Sequence, residues 1–437
     1  MRRLIAPAAF ALSALLAAPL ATADTELREA VAKDYDENLE SLFKHFHANP
    51  ELSHREFKTA KRLADEIGAL GYDVTTGVGG TGVVAVMENG EGPTVLVRAD
   101  MDGLPVLEDN DLPWKSLATQ EDLDGKIKPV MHACGHDTHI TSLVGTARQM
   151  AARRDKWSGT LVLIGQPAEE RISGARAMLE DGLYERFPKP DYALAFHVSS
   201  GVPTGRIVVP LEITASSSDS VDIYVRGVGA HGASPHKGID PVLVAAQIVV
   251  TLQTIVSRTI APLESGVITV GAINGGSKHN IIGDQVHMQL TVRSNDPDVR
   301  IKLLDSIDRV ADGVAASLGV PEDLRPQVVR SQVETTPPTI NHAGTAQRVR
   351  DLFTSEIDAG VILDKKQEGM GAEDFAYFVT RESGVKGVYF SVGGTPPDQV
   401  ESAPSHHSPF FKIEPEPSIK LGTEAMVLAA MDLLQAE

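Results

Sequence analysis

A chain of 437 residues, 42% hydrophobic and 23% charged, has the composition of a globular protein of two or three domains. That excludes a disordered chain, a collagen-like chain and a small disulfide scaffold. With 40 basic and 59 acidic side chains the formal charge is −19, and a surface this acidic repels phosphate backbones and excludes nucleic acid as a partner.

The chain opens with Arg2 and Arg3, an uncharged apolar run over 4–20, and the small residues Ala21-Thr22-Ala23. This is the pattern of a secretory signal peptide over 1–23, with cleavage expected before Asp24. It predicts export, to a periplasm or beyond the cell. The run is short and broken by Pro7 and Pro19, which argues against a retained membrane anchor. No later stretch reads as a membrane span. Cys134 is the only cysteine, so no intrachain disulfide is possible, and a lone exported thiol is a liability unless it is buried or metal-bound.

Leu27, Val31, Tyr35, Leu39, Leu42 and Phe46 recur at helical spacing, and a second helix is predicted over 57–70, stopped by Gly71. Short apolar runs at 83–86 and 95–97 read as strands. A helix over 141–152 and strands at 161–164 and 192–196 continue the alternation, which argues an α/β domain with a mostly parallel sheet. Near Leu211 the pattern changes. A strand over 216–228, a helix over 241–260 capped by Asp240, strands over 267–273 and 281–292, a helix over 298–318 and a strand over 327–333 give the order β-α-β-β-α-β of a ferredoxin-like unit. Helix and strand alternation resumes after Pro337-Pro338. The expected organisation is therefore a signal peptide over 1–23, a catalytic domain in two parts, 24–211 and 336–437, and an inserted α+β domain over 212–335.

Chemistry concentrates in short segments, most of them at strand ends, where open α/β sheets bind ligands. They are Arg98-Ala99-Asp100-Met101-Asp102-Gly103-Leu104-Pro105, His132-Ala133-Cys134-Gly135-His136-Asp137, Gln166-Pro167-Ala168-Glu169-Glu170, Phe196-His197 and His406-His407-Ser408-Pro409. Thiolate, imidazole and carboxylate are the side chains that hold zinc-like cations. An isolated Cys-x-His is usually coincidence, and adjacent glutamates are usually a solvated helix face; the set together carries far more weight. Adjacent carboxylates also allow a division of labour, one holding a cation while its neighbour takes a proton from water, which is metal-assisted hydrolysis.

These segments, with Gly229-Ala230-His231-Gly232-Ala233-Ser234-Pro235-His236, occur in the order found in the aminoacylase and carboxypeptidase family of dinuclear metallohydrolases. The sequence resembles in particular the branch of hippurate hydrolases, N-acyl-amino-acid amidohydrolases and plant auxin-conjugate hydrolases, over nearly the whole mature chain. The resemblance implies an α/β catalytic domain with an inserted ferredoxin-like lid that forms a homodimer. It implies two divalent cations per chain (Zn, Mn, Co or Ni) on Cys134, His136, Glu170, His197 and His407, with the thiolate shared. It makes Glu169 the general base, Asp102 a carboxylate that orients the site, and His231 the stabiliser of the oxyanion. It sets Asn280 and Arg293 on the substrate carboxylate, a role that suits the two-pronged guanidinium. Asp100 stands where the carboxypeptidase branch has a ligand histidine and is not counted as one. His139, His236 and His406 fall outside the ligand set, and Glu373 in Gly371-Ala372-Glu373-Asp374-Phe375 is a candidate pocket residue. One departure stands out: the family's Asn-x-Ile-Pro-Asp is here Asn280-Ile281-Ile282-Gly283-Asp284, and glycine loosens that turn. The implied activity is cleavage of the amide in a small-molecule N-acyl amino acid. An exported dipeptidase of the same fold is the alternative; a binding protein without catalysis is disfavoured by the retention of Glu169 and all five ligands.

Overall fold

The computed structural model describes residues 25–435, so the expected signal segment lies outside the described residues. Seven strands form the central sheet, in the spatial order Asp73–Val78, Gly82–Asn89, Gly159–Gln166, Thr94–Asp100, Tyr192–Pro203, Lys386–Thr395 and Ile207–Val208. The middle four run parallel, and antiparallel strands flank them on both sides. Val95, Leu96 and Val97 are all buried, as are Leu161 to Ile164. Continuous apolar runs of this kind are what a sheet covered on both faces requires.

One face carries the helices Thr25–Asp34, Glu40–Ala48, Phe57–Gly68, His136–Ala152 and Pro415–Leu433, packed through Leu39, Leu63, Leu143, Met426 and their neighbours. The other is covered by Gly174–Glu180 and the Asp374–Val379 turn, through Met178, Phe375 and Phe378. Each fully buried side chain of this size contributes roughly 1.5–3 kcal/mol. The sheet is thus a stiff platform for the loops at its carboxyl edge.

Beyond Val208 the chain leaves this sheet. Ser218–Arg226, Pro241–Thr254, Gly266–Gly275, Gln285–Ser294, Pro297–Ser317 and Gln327–Thr336 follow as β-α-β-β-α-β. Their strands pair antiparallel, with Gly266–Gly275 at one edge, then Gln285–Ser294, Ser218–Arg226 and Gln327–Thr336. This is the ferredoxin-like arrangement, with a core of its own around Ile223, Ile248, Leu252, Met288 and Leu303. Both helices start at Asp-Pro, and the Asp240 and Asp296 carboxylates accept the first free amides.

Three expectations need adjusting. The strand predicted over 281–292 is two pieces: Ile281–Ile282 pairs with Ala230–His231, and the sheet strand begins at Gln285 after the Gly283-Asp284 break. The helix predicted over 141–152 begins at His136, because its first turn is polar yet buried against the site. The segment Pro241–Thr259 is, by length and composition, apolar enough to cross a membrane. Val244, Ala245, Ile248 and Leu252 of this helix enter the core of the ferredoxin-like unit.

Candidate metal centre

Gly135 makes the Cys134-Gly135-His136 turn possible. Its φ is +87°, and a Cβ there would lie 2.4 Å from Val198 Cγ1. The turn aims Cys134 and His136 into one pocket with Glu170, and ligand atoms of the three lie within 4.8 Å of one another. His197 joins from the neighbouring strand, its Nε2 3.3 Å from Cys134 Sγ. The other ring nitrogen of His197 donates to the Val198 carbonyl at 2.6 Å, which leaves Nε2 unprotonated and pointed at the thiol. His407 Nε2 lies 3.4 Å from Glu170 Oε2, at the exposed rim. His406 sits deeper than its neighbour, with Nδ1 3.7 Å from Cys134 Sγ and Nε2 accepting from the Ser200 amide.

The donor set suits a pair of cations. Both ring nitrogens of buried His136 and Oε1 of Glu170 lack a hydrogen-bond partner. An orphaned imidazole and carboxylate facing a thiol make a cation site rather than a packing defect. The electrostatics agree. Burial pushes the His136 pKa down, but Asp100 and Asp102 outweigh it and hold it up at about 10. Burial, then the carboxylates Glu170 and Glu169, push the Cys134 thiol well up. Burial likewise lifts Glu170 to about 7. The pocket therefore attracts positive charge, whether a proton or a metal ion.

Asp102 lies behind this set. It accepts the Glu169 and Glu170 amides at 3.1 Å each and the Ser53 hydroxyl at 2.6 Å, and it faces His136 Nδ1 at 3.4 Å. Asp100 is fully engaged by Arg98 at 2.7 Å and by His139 Nδ1 at 2.5 Å. His139 Nε2 accepts from the Val198 amide, so neither of its nitrogens is free to ligate. Glu169 is buried and has no ligand histidine closer than His136, 3.9 Å away. Burial and Glu373 raise its pKa well above the usual carboxylate range, as befits a group that must carry a proton.

Glu373 belongs to a buried network that the motifs alone did not reveal. Its carboxylate meets Arg98 at 2.7 Å and Tyr389 at 2.7 Å, and it lies within 4.8 Å of Glu169 and Asp374. Arg98, wholly buried, also donates to Gln166 at 2.8 Å. A charged residue at a strand end amid apolar neighbours was the available signal.

Among the described residues, none of the three residues expected from the lid hydrogen-bonds to this cluster. His231 is exposed and its Nδ1 accepts the Ala233 amide. The Asn280 carbonyl accepts the Gly232 amide, while Asn280 Oδ1 is buried and unpartnered. Arg293 donates to the Met370 carbonyl at 3.3 Å, three residues from Glu373. Among the described residues, no hydrogen bond or ion pair joins His231 or Asn280 to the cation-binding side chains.

A model of peptidase family M20/M25/M40 matches residues 96–432. The chain is 35% identical over 403 residues to thermostable carboxypeptidase 2 of Saccharolobus solfataricus, covering 91% of this chain and 96% of that one. It is 36% identical over 351 residues to the hippurate hydrolase of Campylobacter jejuni, covering 79% and 86%. The crystal structure of the YXEP protein of Bacillus subtilis, a dinuclear metal-binding peptidase, superposes with a TM-score of 0.74 at 26% identity, covering 92% and 99%.

Proposed function

We propose that this chain, which belongs to peptidase family M20/M25/M40 and is a metallo-amidohydrolase, cleaves the amide bond of N-acyl amino acids. The observation that carries the reading is the pairing of Glu169 and Glu170. Glu170 faces Cys134 and His136 with an unpaired oxygen, while Glu169 lies outside that set in a buried carboxylate environment.

Cys134, His136, Glu170, His197 and His407 would hold two divalent cations. When bound, such ions supply Lewis-acid activation of the water and the amide carbonyl. The remaining work falls to the protein. Glu169 takes the proton of the attacking water and hands it to the leaving amine nitrogen. Asp102 holds both glutamate amides and orients His136. Arg293 and Asn280 receive the free carboxylate of the substrate, and His231 stabilises the oxyanion. Zn, Mn, Co and Ni all accept this mixture of ligands.

The enzyme is read as exported, from its amino-terminal signal, and as a homodimer formed through the lid. Two features support the dimer. The edge strand Gly266–Gly275 exposes Val267 and Ile273, and the adjacent helix exposes Val242, Leu243 and Val250. An uncovered strand edge beside apolar side chains is a pairing surface.

The test is elemental analysis of the purified protein beside an activity panel of N-acyl amino acids and free dipeptides. Two equivalents of divalent metal and preference for the N-acyl substrates are expected. Preference for dipeptides would replace the substrate assignment with a peptidase one.

A further inference from the structure

The Glu169-Glu170 turn is held in an unfavourable backbone shape. Ala168 and Ile172, which bracket it, have φ of +50° and +48° in the left-handed region. Side chains rarely adopt this region, a β-branched one least of all, and such conformations persist only where the surroundings over-determine them. Three consecutive amides show what holds it. Those of Glu169 and Glu170 are taken by Asp102, and that of Ala168 is taken by Glu56 Oε1 at 2.8 Å.

Glu56 lies far from the motifs in sequence, just before the Phe57–Gly68 helix, and is completely buried. Its Oε1 also accepts the His54 amide at 2.9 Å, and its Oε2 accepts the Thr81 hydroxyl at 2.5 Å. The same short segment grips the turn elsewhere. Ser53 Oγ holds Asp102, and His54 Nε2 meets Ser173 Oγ at 2.9 Å just beyond Ile172. The Glu51 carbonyl takes the Gly103 amide at 2.7 Å, beside Asp102. Residues 51–56 thus clasp the dicarboxylate turn at its entry, its middle and its exit. Among the described residues, no hydrogen bond or ion pair joins Glu56 to Glu169 or to the cation-binding side chains.

We propose that Glu56 is a positioning residue for the reaction: by holding the Ala168 amide it keeps the strained turn in the shape that aims Glu169 at the attacking water. The inference rests on Glu169 as the general base. Glu56 makes no hydrogen bond to Glu169 and acts through the backbone it holds, directly at Ala168 and, through His54, at Ser173. A displacement of about 1 Å in a reacting group costs up to about 10²-fold in rate, so the effect falls on kcat.

The experiment uses the full chain reconstituted with zinc, assayed on its best N-acyl amino acid, with thermal melts and zinc content measured for each variant. Glu56→Ala is expected to lower kcat by about 10–10²-fold with KM and zinc content near wild type. Glu56→Gln is expected to recover most of that loss. The amide oxygen still accepts from Ala168, and the Thr81 hydroxyl turns to accept from the amide nitrogen. Ala168→Gly removes the side-chain penalty for the left-handed conformation, so Glu56→Ala is expected to cost several-fold less on that background than alone. An unchanged kcat in Glu56→Ala, a Glu56→Gln no better than Glu56→Ala, or equal penalties on the two backgrounds overturns the proposal. If Glu56→Ala does not fold, the cycle is run with Glu56→Asp, whose shorter carboxylate withdraws from the Ala168 amide. Glu169→Gln is the control: if it turns over normally, the base assignment fails and this inference with it. If it is inactive while Glu56→Ala is unaffected, only the inference falls.

Discussion

Asp102→Asn tests the carboxylate behind the proposed metal ligands. The native side chain receives three donors, the Ser53 hydroxyl and the Glu169 and Glu170 amides, and faces His136 Nδ1 at 3.4 Å. An asparagine of the same shape must put an NH2 at one end. Placed at the Oδ1 end it opposes the Glu169 amide and His136. Placed at the Oδ2 end it opposes the Glu170 amide, while the Ser53 hydroxyl can rotate and accept. The second orientation loses less, and it still loses one hydrogen bond to a charged group, about 1.5–3 kcal/mol. At about 1.4 kcal/mol per tenfold in an equilibrium constant, that is a fall of about 10–100-fold in metal affinity. The fall has the size expected on losing a hydrogen bond that positions a proposed metal ligand, here the Glu170 amide. Titration against a chelator of known affinity reads it directly. Ser53→Ala removes only one donor and is expected to cost less. Wild-type metal affinity in Asp102→Asn would refute the role assigned to Asp102.

Gly135→Ala brings a Cβ 2.4 Å from Val198 Cγ1 at a φ of +87°, so the Cys134-Gly135-His136 turn must shift; a destabilisation of about 1–3 kcal/mol in denaturant melts and a reduced metal content are expected. Arg293→Ala is expected to raise KM for N-acyl amino acids and leave their amides, already poor substrates, unchanged; equal rates on acid and amide forms in the wild type would remove that role. His231→Ala and Glu169→Gln, each nearly inactive, are expected to regain activity when subunits are exchanged between them, because a mixed dimer contains one site with both groups intact. Random pairing makes about half the dimers mixed, so roughly a quarter of sites recover. Flat activity after verified exchange would place His231 in its own chain's site or in none.

The fold was readable where one pattern dominated. Val95 to Val97 and Leu161 to Ile164 are unbroken apolar runs, and the β-α-β-β-α-β order of the insert follows from its alternating strand and helix patterns, with Asp240 capping the first helix. It was not readable where tertiary contacts replace periodicity. The first turn of the His136–Ala152 helix carries His136, Asp137, Thr138 and His139, all buried, so no apolar repeat announces it. His47 shows the same effect. It binds Asp137 at 2.7 Å and Glu108 at 2.9 Å from a position that reads as a plain helical residue. The site divides in the same way. Its proposed metal ligands lie in compact motifs, whereas Glu56 and Ser53 reach the site from a distant part of the chain, through partners that no local spacing encodes.

The division of labour between the adjacent glutamates is the centre of the account, and a paired measurement of metal content and turnover in Glu169→Gln and Glu170→Gln tests it most directly. Glu169→Gln is expected to retain its metal and lose turnover by about 10²–10⁴-fold, the usual contribution of a general base. Glu170→Gln is expected to lose metal, and activity with it. Two variants that lose metal alike, or that keep both metal and turnover, would contradict the assignment.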